Sequence, residues 1–78
     1  MNYSAILVVA RPGEFDDVLQ RIAAVNGVDV HHVDRQSRRA VCTIEAETVD
    51  QEVERFAAVR NMPGVLDASL IEHRPDAL

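Results

Sequence analysis

The chain contains one short sequence twice, at an offset of thirty-four residues. Arg21–Val25 reads RIAAV and Arg55–Val59 reads RFAAV. Each copy follows an apolar run of the length of a strand and precedes a Gly-Val pair at which another strand can begin. The runs are Ala5–Ala10 and Ala40–Ala46, and the pairs are Gly27-Val28 and Gly64-Val65. A repeat with this pattern indicates one strand-helix-strand unit present in two copies.

Apolar spacing predicts a helix in each copy. The first helix follows the breaking sequence Arg11-Pro12-Gly13. Thr48 is placed to cap the second, with Gln51 three residues later as in a capping box. The predicted buried stripes, spaced at three and four residues, are Phe15, Val18, Leu19, Ile22 and Val25 in the first helix, and Val49, Val53, Phe56 and Ala57 in the second.

Six elements in the order β-α-β-β-α-β predict an α+β fold, the ferredoxin-like split-βαβ sandwich. We expect one four-stranded antiparallel sheet with strand order 4-1-3-2 and two helices on one face. The predicted strands are Ser4–Ala10, Val28–Val33, Ala40–Ala46 and Val65–Glu72. No helix is left to cover the other face of the sheet, so its side chains are the main candidates for a function.

Length and charge restrict the classes of function. Seventy-eight residues predict a single domain, 1–78, with 74–78 as a frayed tail. A net charge of −5 disfavours nucleic-acid binding, because phosphate neutralisation needs a basic surface. The single cysteine, Cys42, has no partner for an internal disulfide, and no apolar run approaches the roughly 18 residues of a membrane span. We therefore expect a cytoplasmic protein without membrane insertion.

The repeat assigns the two faces of the sheet. In the third strand the even-numbered residues are apolar and the polar Thr43 and Glu45 alternate with them, so even positions are predicted to face the helices. Val8 corresponds to Cys42 at the repeat offset, so the even positions of the first strand are also predicted to face the helices. The predicted open face has an apolar stripe, Ala5, Leu7, Val9, Val41 and Ile71, bordered by Thr43, Glu45, Asp67 and Ser69. Such a stripe suits an apolar partner or a second copy of the chain.

No residue is nominated as catalytic or as a metal ligand. His31 and His32 are adjacent on the second strand, so alternation directs them to opposite faces, with His32 inward and Val33 outward. Cys42 is expected to be an inert core residue, since a reactive thiol needs exposure. The acidic helix residues expected at solvated positions are Asp16, Asp17, Glu52 and Glu54. We therefore predict neither an enzyme nor a cofactor, and the role of His73 is left open.

Other modules of this topology make specific demands on the sequence. An RNA-recognition motif stacks bases on aromatic side chains, but Leu7, Val41 and Thr43 occupy the corresponding positions. A copper-carrying domain needs a CxxC motif after the first strand, where this chain has Arg11-Pro12-Gly13. A ligand-binding regulatory domain of the ACT or Lrp-effector type often shares the Pro63-Gly64-Val65 entry into the last strand. It remains an alternative.

The second half carries a longer and more specific pattern. Residues 59–70 read Val-Arg-Asn-x-x-Gly-Val-Leu-x-x-Ser-Leu, preceded by Ile44-Glu45-Ala46-Glu47 and followed by His73. Together with Leu7-Val8-Val9 and the Gly27 turn, this pattern resembles the NapD family over almost the whole chain. The chain departs from that family at Asn26, where a proline is common, and in the paired histidines of the second strand.

The resemblance implies a function and a partner. Proteins of the NapD family are small cytoplasmic chaperones that bind the twin-arginine signal peptide of the periplasmic nitrate reductase catalytic subunit. They hold it back from export until the molybdenum cofactor and iron-sulfur cluster are installed. We expect Leu7, Val9, Val41 and Ile71 to form an apolar floor for the peptide, Glu45 and Asp67 to face its arginines, and Thr43 and Ser69 to form hydrogen bonds. A homodimer through the open face is the alternative use of the same surface.

Overall fold

Four strands and two helices alternate in the computed structural model, which describes residues 1–74. They are β1 (Asn2–Ala10), α1 (Phe15–Ala23), β2 (Val28–Asp34), β3 (Arg39–Ala46), α2 (Val49–Arg60) and β4 (Val65–Arg74). The strands form one antiparallel sheet in the order β2-β3-β1-β4, and both helices pack into one core against it. The predicted α+β ferredoxin-like fold is confirmed. Of the predicted tail, Arg74 belongs to β4 and residues 75–78 lie outside the described residues.

The side chains of the central strand β1 alternate between the core and the open face of the sheet. Its even-numbered residues are buried and its odd-numbered residues from Tyr3 to Val9 are half-buried. In β3 the even-numbered residues from Ala40 to Ala46 are at most 2% exposed. Complete burial of a large apolar side chain such as Ile6 stabilises the fold by about 1.5–3 kcal/mol, so a one-residue slip of either strand would be costly. The face assignment of both central strands is confirmed.

The two repeat units are joined by equivalent backbone hydrogen bonds. The carbonyl oxygen of Gly27 accepts a hydrogen bond from the Glu45 amide at 2.8 Å, and that of Gly64 accepts one from the Arg11 amide at 2.8 Å. Arg11 and Glu45 are thirty-four residues apart, so they occupy equivalent positions in the two units. Each unit thus anchors the turn before the last strand of the other.

The arginines of the repeated sequence reinforce the same turns. Arg55 donates a hydrogen bond to the carbonyl oxygen of Glu45. Arg21 donates one at 2.8 Å to the carbonyl oxygen of Pro63, the residue before Gly64. Arg21 therefore fixes the Gly64 turn of the opposite half, whereas Arg55 binds strand β3 of its own half, close to the Gly27 turn.

Helix α2 is rotated relative to the prediction, although it begins after the predicted cap Thr48. Val49 and Val53, predicted to be buried, are 56% and 60% exposed, whereas Glu52, predicted to be solvated, is 7% exposed. The other members of the predicted stripe, Phe56 and Ala57, are half-buried. Polar partners on β1 and β4 compensate for the burial of the Glu52 carboxylate, so they set the rotation of the helix. Within residues 1–74, neither helix has the length and apolar character needed to cross a membrane.

Bulges interrupt both edge strands, whereas the β1–β3 pairing is regular. In β2 the register shifts between Val30 and His32, so that His32 pairs with Val41 on the open face and Val33 pairs with Ala40 on the core face. The prediction that His32 faces inward and Val33 outward is therefore wrong. Strict alternation fails because the bulge adds one residue to β2.

Gly27→Ala is expected to lower the free energy of unfolding by about 2–5 kcal/mol. Gly27 has a φ of +82°, and an added Cβ would lie 2.7 Å from the carbonyl oxygen of Glu45. Gly13→Ala is the matched control, since Gly13 has a φ of +81° with nothing within 4 Å of the added Cβ. The control should cost only the backbone term, about 1–2 kcal/mol. Urea unfolding measures the free energy of unfolding of both variants. Equal losses would show that the contact between the added Cβ and the Glu45 carbonyl oxygen does not destabilise Gly27→Ala.

Cys42 is expected to resist thiol reagents while the protein is folded. Its side chain is fully buried, and burial raises the pKa of the Cys42 thiol to about 11. At pH 8 only about one thiol in a thousand would be ionised, and the thiolate fraction increases with pH towards the raised pKa. Modification by Ellman's reagent should be at least about a hundredfold slower than in concentrated urea. Glutathione with and without urea controls for the reactivity of the reagent itself. Equal rates of Cys42 modification in the folded and the unfolded protein would contradict the burial of this thiol.

Candidate functional site

The backbone register arranges the open face of the sheet in four rows. Each row contains one residue of β1, from Tyr3 at one end of the sheet to Val9 at the other. Across the strands the rows are Glu45, Tyr3 and Arg74; Asp29, Thr43, Ala5 and Glu72; His32, Val41, Leu7 and Ser69; and Asp34, Arg39, Val9 and Asp67. We call the two ends the Tyr3 end and the hairpin end, because the β2–β3 hairpin lies beside the last row.

The middle of the open face is apolar. Ala5, Leu7, Val9 and Val41 are neighbours in consecutive rows and are half-buried, and neither helix of the described residues 1–74 covers them. The rows bring these residues together with four other predicted site residues, Thr43, Glu45, Asp67 and Ser69. The face therefore offers a continuous hydrocarbon strip along β1 with polar groups on both sides.

Ile71, the remaining predicted site residue, lies in a bulge of β4. The register between β1 and β4 shifts so that Glu72 is opposite Ala5 and Leu70 is opposite Ile6. Ile71 has no direct partner on β1 and is 56% exposed. It therefore lies on the edge strand outside the four rows.

The two predicted acidic residues lie at opposite ends of the face. Glu45 is in the row of Tyr3 and Asp67 is in the row of Val9. The β1 residues of these rows, Tyr3 and Val9, are six positions apart, which corresponds to about 20 Å along the strand. Glu45 and Asp67 therefore cannot hold the same cationic group.

The Glu45 carboxylate interacts with the Tyr3 hydroxyl at the Tyr3 end of the face. The Tyr3 hydroxyl donates to Glu45 Oε1 at 3.4 Å, a long hydrogen bond. The negative charge of Glu45, aided by some burial and by this hydrogen bond, raises the pKa of Tyr3 above its usual value. A carboxylate has about four lone-pair sites, so Glu45 can still accept hydrogen bonds from a cation on the open face.

The two histidines of β2 come to the same side of the sheet. His32 pairs with Val41, and the Nε2 atom of His31, which lies in the bulge, is 2.7 Å from the Thr43 hydroxyl oxygen. The prediction that they face opposite sides is wrong, because the bulge interrupts the alternation of β2. Within residues 1–74, no group of three or more His, Cys, Asp or Glu side chains is arranged to bind a metal ion. The His31 contact instead orients the Thr43 hydroxyl at the border of the apolar strip.

Two shallow depressions of different character lie near the two ends of the sheet. One, about 340 Å³ and mostly apolar, lies towards the hairpin end between Leu7, Val41 and His32. The other, about 290 Å³ and mostly polar, lies at the Tyr3 end of the sheet between the Gly27 turn and α2, is lined by Gln51 and Arg55 among others, and adjoins the open face at Glu45. Apolar and polar ligand groups would therefore be accommodated at different ends.

A further cavity, of about 160 Å³, lies on the helix side between α2 and β4. Its apolar walls are Ile44, Val53, Phe56 and Leu70. At its base the buried Glu52 carboxylate accepts a hydrogen bond from the Ser4 hydroxyl and lies 3.1 Å from Nδ1 of His73, which is also 3.2 Å from the Ser4 oxygen. In a catalytic triad the imidazole lies between the hydroxyl and the acid, whereas here Ser4 contacts the carboxylate directly. The cluster links β1, α2 and β4 and gives His73 a structural role.

Sequence reasoning did not place seven residues of the four rows on the open face: Tyr3, Asp29, His32, Asp34, Arg39, Glu72 and Arg74. Because Val28 faces the core, alternation along β2 predicts that Asp29 faces the open side, so the position of Asp29 could have been found from the sequence. His32 and Glu72 reach the face through bulges, and nothing in the alternation of either strand indicates a bulge. Asp29, His32 and Glu72 make the border of the face more polar than predicted.

The chain is similar over most of its length to proteins of one family. The model of the family described as NapD protein matches residues 1–77. Chaperone NapD of Escherichia coli strain K12 is 28% identical over 72 residues, covering 92% of this chain and 83% of that protein. Chaperone NapD of Shigella flexneri has the same identity and coverage.

Two solved structures have the same architecture. The solution structure of the E. coli Tat proofreading chaperone protein NapD has a TM-score of 0.85 at 27% identity, covering 95% of this chain and 78% of that chain. The crystal structure of a hypothetical protein from Pyrococcus horikoshii has a TM-score of 0.81 at 19% identity, covering 99% and 93%, and shows the fold alone. The named relatives are chaperones, so the prediction of a protein that is not an enzyme is confirmed. From the family match over residues 1–77, supported by the fold, the chain belongs to the NapD family of chaperones.

Proposed function

We propose that the open face binds the twin-arginine signal peptide of the periplasmic nitrate reductase catalytic subunit in the cytoplasm. Binding would hold the subunit back from export until its cofactors are inserted. The single observation that carries the proposal is the half-buried strip of Ala5, Leu7, Val9 and Val41 on a sheet face that no helix covers. Membership of the NapD family and the likeness to a Tat proofreading chaperone support the same function.

Apolar contacts would supply most of the affinity. Complete burial of a large apolar side chain is worth about 1.5–3 kcal/mol, whereas an exposed ion pair is worth about 0–1 kcal/mol. Micromolar affinity needs about −8 kcal/mol after the costs of ordering the peptide. Since Leu7, Val9 and Val41 are already half-buried, each gains only part of its full value. Contacts along the whole strip are therefore required.

Charged groups would contribute orientation and specificity. The chain has a net charge of −5, which attracts a basic peptide at low ionic strength. Glu45 is exposed on the open face, so its attraction for an arginine would be screened by salt. Thr43 and Ser69 can form hydrogen bonds at either side of the strip, and Ile71 can extend the apolar contact at the edge strand.

Leu7→Asp is expected to weaken peptide binding at least about a hundredfold, because it places a carboxylate in the middle of the apolar strip. The fold should persist, since Leu7 lies on the open face and is only half-buried. Calorimetric titration with a synthetic twin-arginine signal peptide measures binding, and circular dichroism checks the fold.

Val49→Asp is the matched control for this change. Val49 is 56% exposed on α2, away from the open face, so the same apolar-to-acid substitution should leave binding unchanged. A folded Leu7→Asp variant that binds the peptide as tightly as Val49→Asp would refute the proposed use of the open face.

Glu45→Gln is expected to weaken binding by only about two- to fivefold and to reduce its salt dependence, because an exposed carboxylate contributes a screened attraction. The control is Glu54→Gln, the same change at an exposed position of α2. Titrations at low and high salt measure both variants. A salt dependence of Glu45→Gln equal to that of the control would argue against a cation at this position.

A further inference from the structure

The hairpin end of the open face carries fixed positive charge. Arg39 is exposed in the row of Val9, and Arg38 in the adjoining hairpin donates from Nε to the Ala10 carbonyl oxygen at 3.2 Å. Arg11, which follows β1, is exposed at the same end. Guanidinium groups remain charged at any pH at which the protein folds, so this end repels further arginines.

The carboxylates at the hairpin end are placed among these arginines. Asp34 pairs with Arg39 in the sheet and accepts a hydrogen bond from the Gln36 amide at 3.1 Å within the hairpin. Asp67 lies in the same row, separated from Arg39 by Val9. Neither carboxylate gives this end an excess of negative charge.

The Tyr3 end has the opposite balance among its exposed side chains. Asp29 and Glu45 are exposed in its first two rows. The nearby Arg55 directs its guanidinium to the carbonyl oxygen of Glu45, which leaves the carboxylate facing the Tyr3 hydroxyl. Arg74 pairs with Tyr3 through the backbone and is the basic residue of these rows.

The open face has an apolar depression at the end opposite Glu45. The mostly apolar depression lies between Leu7, Val41 and His32, nearer the hairpin end. At the Tyr3 end the open face contributes Glu45 to a mostly polar depression that lies between the Gly27 turn and α2 and is also lined by Arg55. A twin-arginine peptide has its arginines before its apolar segment, so one direction of binding places the apolar segment over the apolar depression and the arginines near Glu45, and the reverse direction does neither.

We infer that the signal peptide lies parallel to β1, with its arginine pair at the Tyr3 end and its apolar segment directed towards the hairpin end. This direction rests on the proposed function and adds to it a division of roles between the predicted acids. Glu45 faces the arginines, and Asp67 does not. The open face from the row of Tyr3 to the row of Val9 is about 20 Å long, which about 13 residues of helical peptide would cover.

Paramagnetic NMR with the full chain tests the direction. A synthetic twin-arginine signal peptide carries a nitroxide either just before the arginines or just after the apolar segment. The label before the arginines should broaden the Ala5 methyl signal more than those of Val9, and the label after the apolar segment should do the reverse. The diamagnetic peptide in each case controls for shifts caused by binding itself.

A double-mutant cycle gives a second measurement. Glu45→Gln should weaken binding of the twin-arginine peptide about two- to fivefold but leave binding of a peptide with both arginines replaced by glutamine unchanged. Asp67→Asn should affect both peptides equally. Both residues are exposed, so neither change should disturb the fold.

The outcomes separate the direction from the proposed function. Binding with the opposite pattern of broadening, or coupling at Asp67 instead of Glu45, would overturn the direction and leave the open face as the binding site. An absence of peptide binding to the unaltered chain would refute the proposed function itself. Equal broadening of Ala5 and Val9 by both labels would show that the peptide has no preferred direction, which also overturns the inference.

Discussion

The structure depends on the two-residue alternation of β1, the strand that pairs on both sides. Its even-numbered side chains form the floor of the core, and its odd-numbered side chains form the strip on the open face. Hydrogen bonding to β3 and β4 fixes both sets at once, so a slip of one residue would exchange the core and the candidate site. A single register thus determines stability and the position of the site.

Alternation also explains how much could be predicted from the sequence. In β1 and β3 every residue keeps its expected face, because these strands pair without a bulge and carry a strong apolar period. The edge strands depart from expectation at His31 and Ile71, where an extra residue is inserted. An edge strand tolerates such an insertion because one of its sides is unpaired, and a bulge there discourages pairing with another sheet.

Helix α2 shows a different limit of sequence reasoning. Its apolar residues predict one buried side, yet Glu52 is buried while Val53 is exposed. The partners that make this possible, Ser4 and His73, come from the first and last strands, so no local pattern in the helix could reveal them. A buried carboxylate with two partners determines the rotation here because leaving it unpaired would cost more than exposing a valine.

The repeat makes the fold nearly symmetric, whereas a peptide with distinct ends requires an asymmetric site. Leu7 and Val41 are equivalent at the repeat offset and are also paired in the sheet, so the approximate two-fold axis passes between them. A face with that symmetry would bind a peptide equally well in both directions. The equivalent positions Arg11 and Glu45 make the same backbone contact with opposite charges, at opposite ends of the sheet. The backbone thus keeps the symmetry that stabilises the fold, and the exposed charges remove the symmetry that would leave the direction of a bound peptide undefined.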